Sequence, residues 1–104
     1  MAMESPVVRF AEAVRALGVE ARRYGLRMPG FRSPPRLHGV ARSLRRRSDG
    51  GATIAVVVRG RPWAAVVADM VEGVIVANGL TGAAADQARA RLWAAVGSDA
   101  TAAA

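Results

Sequence analysis

The chain has 104 residues, a net charge of +7 and no cysteine. This length fits one small domain, residues 1–104, whose hydrophobic core is feasible but thin. Without cysteine, disulfides, thiol nucleophiles and cysteine-ligated zinc are excluded. All 15 basic residues are arginine, so chemistry that needs a lysine, such as P-loop or Schiff-base chemistry, is excluded too.

The positive charge is concentrated in one segment. Residues 22–61 contain eleven arginines against Asp49 alone, a net charge of +10, whereas the rest of the chain carries −3. Such a segment attracts polyanions or an acidic protein surface. No apolar run reaches the roughly 18 residues of a membrane span, and the first residues do not have the pattern of a signal peptide. We therefore expect a cytoplasmic protein with no membrane partner.

The N-terminal pattern predicts a helix from residue 6 to about residue 17, with an extension to residue 23 as the alternative. Ser5 can cap this helix, and Pro6 suits its first turn. Apolar residues then recur at helical spacing, at Val7, Phe10, Ala11, Val14 and Leu17. Gly18 can either end the helix or only weaken it.

Residues 25–39 are predicted to form an extended loop. They contain three prolines, and the Pro-Gly and Pro-Pro pairs favour turns and extended chain. Phe31 and Leu37 are the residues of this loop that we expect to contact the core. A loop of this length in a small domain is often functional or mobile.

The next stretch, RSLRRRSDGG, has four arginines in six residues and ends in a turn signal. One interpretation is a strand over residues 40–47 that turns at 48–51 into a hairpin. The other is a helix, with Ser33 as its cap and an apolar face containing Leu37, Val40 and Leu44. The strand is favoured because Gly39 would weaken a helix and the Asp-Gly turn leads directly into a β-branched run.

Three apolar runs follow. ATIAVVVR, at residues 52–59, predicts a strand, and Arg59-Gly60-Arg61-Pro62 predicts a tight connection. PWAAVVAD, at 62–69, and VIVAN, at 74–78, predict two more strands with a turn between them. Both faces of these strands are apolar, so we expect both faces to be covered.

A final helix is predicted to begin after Thr81 and to end at Gly97, with residues 98–104 as a disordered tail. Its apolar stripe is Ala85, Ala88, Leu92, Ala95 and Val96, and Trp93 borders that stripe. The predicted fold is therefore α+β, in the order α-β-β-β-β-α. It consists of an antiparallel sheet of three or four strands, flanked by N- and C-terminal helices.

The sequence gives little support for catalysis. His38 is the only histidine and lies in the proline-rich loop, which is unlike a histidine-based metal site. Asp69 and Glu72, three residues apart, could pair for acid-base or metal chemistry, but solvated turn residues are the favoured interpretation. We predict no catalytic residue, no metal, no cofactor and a non-enzymatic protein.

The arginines are the candidate binding residues. In a strand over 40–47, Arg42 and Arg46 point to one face and Arg45 and Arg47 to the other. Arg59 and Arg61 can approach this strand from the end of the next one, and Trp63 can stack on a base or support a guanidinium, although a core position is favoured for it. The predicted phosphate-contacting residues are Arg42, Arg45, Arg46, Arg47, Arg59, Arg61, Arg32 and Arg36.

The functional prediction is a small basic binding protein whose arginine segment contacts polyanions, most of all nucleic-acid phosphates. Few aromatic residues accompany the arginines, which favours phosphate contact over base readout. The alternative is a protein-interaction or regulatory module, homodimeric in its simplest form, whose basic segment meets an acidic partner. The arginines can also be explained without a ligand. They would then be solvated side chains at the edge of the sheet, where their charge opposes pairing with other chains.

Overall fold

The computed structural model describes residues 6–102, with side chains through residue 96. The elements follow in the order α-β-β-β-α-α, so the predicted α+β class is confirmed. The predicted order with four strands and two helices is wrong, because the chain forms three strands and three helices in the described part.

Helix α1 spans Pro6–Arg23, and the longer of the two predicted lengths is confirmed. The predicted Ser5 cap lies outside the described residues. Gly18 does not end the helix; Gly25 adopts a positive φ of 77° just beyond its last turn. The buried side chains recur every three or four positions, at Phe10, Ala13, Leu17 and Ala21.

Strands β1 (Gly30–Arg32), β2 (Arg42–Arg46) and β3 (Ala52–Val56) form a sheet in the order β1-β3-β2. β2 runs antiparallel to β3, but β1 runs parallel to it, so the predicted wholly antiparallel sheet is wrong. β1 lies inside the predicted 25–39 loop. Three residues are too few to show an alternating pattern, and only the pairing with β3 makes them a strand.

The β2–β3 hairpin is confirmed as predicted, and the helical alternative for this stretch is wrong. Asp49 accepts a hydrogen bond from the Gly51 backbone N–H at 2.8 Å, and Gly50 has a φ of 85°, a conformation that residues with a side chain rarely adopt. Hydrogen-bonded pairing continues past β3, since the Val57 N–H donates to the Ala41 carbonyl at 2.9 Å.

Helix α2, Trp63–Ala77, replaces the two strands predicted at 62–69 and 74–78. The connection at 59–62 is a tight turn as predicted, with Gly60 at a φ of 74°. The prediction failed because the valine-rich composition of this segment favours strands, whereas its burial is helical. The buried residues repeat at helical spacing over more than two turns, at Val66, Val67, Met70, Val71, Val74 and Ile75.

Gly73, predicted as part of a turn, lies on α2 directly against Ile54 of β3. A Cβ atom placed there would lie 2.8 Å from Ile54 Cγ2, closer than real Cβ contacts allow. A glycine therefore lets this helix approach the central strand.

Helix α3 spans Gly82–Ala102, so it continues past Gly97, where the sequence predicted its end, through residues predicted as tail. Trp93 is half-buried as predicted, but Ala95, predicted on the apolar stripe, is exposed. The buried residues are Ala85, Ala88, Leu92 and Val96. Phe31 packs against the core as expected, whereas Leu37 is half-buried outside it.

An ion pair joins α2 to α3. Arg89 donates to Glu72 at 2.5 Å and 3.1 Å, and also to Asp86 at 2.8 Å. These hydrogen bonds from Arg89 lower the pKa of Glu72, although partial burial opposes the shift.

Within residues 6–102, no helix has both the length and the apolar character that a bilayer crossing would require.

The Gly73 contact predicts that one substitution has opposite effects in two backgrounds. Gly73→Ala should destabilise the protein by about 1–3 kcal/mol, because the new methyl group meets Ile54. In an Ile54→Ala background, the same change should stabilise by up to about 1 kcal/mol, since alanine is the better helix former. Urea denaturation of the four proteins checks this. Gly18→Ala is the matched control, because its nearest atom would be 4.0 Å away, and equal effects at both glycines would contradict the prediction.

The Glu72–Arg89 pair predicts a pH dependence of stability. A carboxylate whose pKa is lowered by folding contributes stability above its unfolded pKa, and this contribution is lost as the pH falls through the folded value. Glu72→Gln should therefore reduce stability at neutral pH and flatten the loss of stability between about pH 5 and pH 2. Denaturation midpoints measured across that range check this. If the variant lost stability with falling pH as steeply as the wild type does, the prediction would be contradicted.

Candidate nucleic-acid interface

The sheet has one face under the helices and one open face. On the helix side, Ile54 contacts α2, and Phe31 meets Phe10 of α1 edge to face with ring centroids 6.4 Å apart. Side chains alternate along a strand, and residues paired across neighbouring strands point to the same face. The strand positions next to Phe31 and Ile54 therefore point to the face away from the helices. The open sheet face is formed by Gly30, Arg32, Ser43, Arg45, Thr53 and Ala55. Its exposed residues lie on the edge strands β1 and β2, whereas Thr53 of the central strand is half-buried and Ala55 is buried.

Arg32 and Arg45 lie on this open sheet face, one on each edge strand. Arg32 is paired with Ala55, and Arg45 with Thr53 of the central strand. Both arginines are exposed and neither forms a hydrogen bond or ion pair with the described residues. Their guanidinium groups are therefore available to an external anion.

Arg47 lies on the same face but has partners within the hairpin. Its guanidinium donates to Thr53 Oγ1 at 3.3 Å and to Asp49 at 3.3 Å, and it lies over Gly51, where a Cβ atom would collide with it. The pKa of Asp49 is lowered, first by the Gly51 N–H and then by Arg47. Arg47 thus adds positive charge to the open sheet face while holding the turn.

Arg42 and Arg61 share one carboxylate instead of facing solvent. Asp69 of α2 accepts from Arg42 at 3.0 Å through Oδ1 and from Arg61 at 2.5 Å through Oδ2. Arg61 also donates to the Val57 carbonyl at 2.7 Å. Arg61 therefore approaches the start of β2, as predicted. It does so through Asp69, and this shared contact joins three parts of the chain: β2, the connection after β3, and α2.

Arg46 binds the C-terminal end of α2. It donates to the carbonyl of Ala77 at 3.0 Å and to that of Val76 at 3.3 Å; the Val76 carbonyl also accepts from the Gly79 N–H at 3.0 Å. Carbonyls in the last turn of a helix have no N–H partner within the helix and need such partners. A cation is favoured there by the helix dipole as well. Together with Arg42, it occupies the helix side of β2, as the predicted alternation required.

The two remaining candidates lie in connections. Arg36 is exposed between β1 and β2, and Arg59 is exposed in the turn before α2; neither has a hydrogen bond or ion pair with described residues. Trp63 is half-buried and stacks under Arg9, whose guanidinium carbon lies 4.6 Å from the ring centroid. Trp63 thus supports a guanidinium group, and that group belongs to Arg9 of α1.

Asp69 and Glu72 do not form a joint acid-base or metal site. Each lies on α2 and is bound by its own arginines, Arg42 and Arg61 for Asp69 and Arg89 for Glu72. In the described part of the chain, no three potential metal ligands of the histidine, cysteine, aspartate or glutamate type come together. The sequence missed the role of Asp69 because α2 was interpreted as strands.

No protein-family model, curated protein or solved structure matches the chain.

The shared carboxylate predicts a large effect from a small change. Asp69→Asn should lower the free energy of unfolding by about 1–3 kcal/mol, because two partly buried guanidinium groups lose an ionised acceptor. Arg42→Ala and Arg61→Ala are each made alone and in combination with Asp69→Asn. Chemical denaturation of these variants measures the coupling free energy between Asp69 and each arginine. Additive effects of these substitutions would show that the three groups do not act together.

Proposed function

We propose that this protein binds polyanions, above all the phosphates of nucleic acid, through the open sheet face. The observation that carries the proposal is the pair Arg32 and Arg45, which lie on the two edge strands of an uncovered sheet face with no internal partner. Arg47 adds a third positive charge on the same face, beyond Arg45 at the turn end of the hairpin, where it is paired with Asp49. Arginine suits this role because its planar fork of donors matches phosphate oxygens.

The composition of the open sheet face supports phosphate contact without base readout. Ser43 and Thr53 add hydroxyl groups of the kind that donate to phosphates, and the face carries no aromatic residue on which a base could stack. Adjacent strands are about 4.8 Å apart, and Arg32 and Arg45 pair with residues two positions apart on β3, about 7 Å along the strand, so the Cα atoms of the two edge arginines stand about 12 Å apart. A nucleic-acid backbone crossing the sheet would contact both.

The proposal divides the predicted arginines into two groups. Arg42, Arg46 and Arg61 are bound to Asp69 or to α2 carbonyls and are assigned to the fold. Arg32 and Arg45 are assigned to the ligand, with Arg36 and Arg59 adding to the surrounding positive potential. We propose a binding role without catalysis and without a cofactor.

A protein-interaction module, homodimeric or bound to an acidic partner, is the second candidate. The outer edge of β2 pairs with no other strand in the described chain, and Val40 just before it is 54% exposed. A second chain could extend the sheet there. The arginines along β2 oppose such pairing with a like-charged copy, which makes this the weaker candidate.

The test is binding of labelled duplex DNA and single-stranded RNA over a salt series. The binding constant should fall with salt, and the Arg32→Ala, Arg45→Ala double variant should show a slope shallower by about one to two, since each phosphate contact adds roughly 0.9 for duplex DNA and 0.7 for single strands. Neither arginine has an internal partner, so the variant should remain folded.

The matched control is Arg15→Ala with Arg22→Ala. It removes the same charge from exposed positions of α1, on the helix side of the sheet, and should leave the slope nearly unchanged. Equal slopes for the two double variants, or no binding by the wild type near physiological salt, would contradict the proposal. Salt-insensitive self-association in sedimentation would then favour the interaction module.

A further inference from the structure

A groove with a volume of about 1220 Å³ lies next to the open sheet face. It is lined by residues 31–35 and 58–63, which follow or overlap the carboxyl ends of the parallel strands β1 and β3, and by the first turns of α1. In open α/β sheets, ligand crevices form at the carboxyl ends of the strands, where the chain segments leave them in different directions.

The groove has apolar walls of fixed shape. Phe31, Val58 and Trp63 are half-buried and so keep part of their apolar surface open to a ligand. Prolines, which hold the backbone dihedral φ fixed, recur around it. They are Pro6, Pro34, Pro35 and Pro62. Walls that are already ordered lose little entropy when a ligand binds.

The charged groups of the groove are all positive. Arg9, Arg32, Arg59 and Arg61 line it, and no acidic residue is among the described residues that do. Arg61 is bound by Asp69, but the other three have no carboxylate partner in the described chain. Arg9 is held in place by its stacking on Trp63. The groove thus combines an apolar interior with guanidinium groups that lack counterions.

We propose that this groove is a separate binding site for a small organic anion, in which a phosphate or carboxylate is carried on an aromatic or aliphatic body. The anion binds Arg59 and Arg9, with Arg32 at the border of the open sheet face, and the apolar body packs on Phe31, Val58 and Trp63. Small-molecule sites have this composition, apolar walls with a few convergent polar groups, although their volumes are usually about 300–1,000 Å³. This site does not depend on nucleic-acid binding by the sheet.

The proposed recognition has two parts, binding of the anionic group and packing of the apolar body, and three matched probes test them separately. 1-Naphthyl phosphate has both groups, 1-naphthol has only the apolar body, and inorganic phosphate has only the charge. Each is titrated into the ¹⁵N-labelled full chain and followed by amide and indole shifts. Naphthyl phosphate should bind at least roughly tenfold tighter than either single-group probe, because a charge-assisted hydrogen bond is worth about 1.5–3 kcal/mol. Its shifts should map to residues 31–35 and 58–63.

The two tryptophans provide an internal control, since Trp63 lines the groove and Trp93 does not. Arg59→Ala should weaken naphthyl phosphate by roughly tenfold and leave naphthol unchanged, whereas Arg15→Ala should change neither. Unperturbed amide spectra away from residue 59 show that the variant is folded. Equal binding of naphthyl phosphate and either single-group probe, or shifts at Trp93 in place of Trp63, would overturn the proposal. So would loss of nucleic-acid binding in Arg59→Ala without loss of naphthyl phosphate binding.

Discussion

The carboxylate of Asp69 is the contact on which the arrangement of the arginines depends. It lies on α2 and binds one arginine from β2 and one from the connection after β3, so it holds three parts of the chain against each other. In a chain with so few acids in its basic half, one carboxylate that accepts from two guanidinium groups offsets the repulsion between Arg42 and Arg61. Of the other arginines in β2 and the turn after it, Arg46 binds carbonyls of α2, Arg47 binds Asp49 and Thr53, and Arg45 remains in solvent.

This division explains how a strand with several arginines can be both structural and available. Side chains alternate along β2, so Arg42 and Arg46 reach α2 while Arg45 reaches solvent. The same alternation that anchors the strand to the helix leaves a positive charge on the other face. The contacts of Arg42 and Arg46 with α2 fix the orientation of β2. That orientation in turn determines that Arg45 points to the open sheet face.

The sequence was informative where local chemistry decides the structure, and it failed where packing decides it. The Asp49-Gly50 turn and the presence of helix α1 depend on neighbouring residues and were predicted. The predicted apolar stripe of α1 was right only in part, because Phe10 and Leu17 are buried whereas Val7 and Ala11 are exposed. The valines of α2 have a strand-like composition, and only their contact with Ile54 and α3 makes them helical. At the candidate site, the alternation along β2 was predictable. The partner of Arg42 was not, because Asp69 is 27 residues away on an element that had been assigned the wrong structure.

The contact between the first and the last helix has a consequence for how the chain folds. Tyr24, which directly follows α1, donates to Gln87 of α3 at 3.5 Å across 63 residues, and Arg91 lies over the same ring. The hairpin and α2, by contrast, are joined through contacts of shorter sequence separation, 27 residues for Arg42 and Asp69 and 31 for Arg46 and Ala77. Closing the long loop costs more entropy than closing the shorter ones, so we expect the hairpin and α2 to form first and α1 to dock late. Until it docks, the Phe31 side of the sheet lacks Phe10 and remains exposed to water.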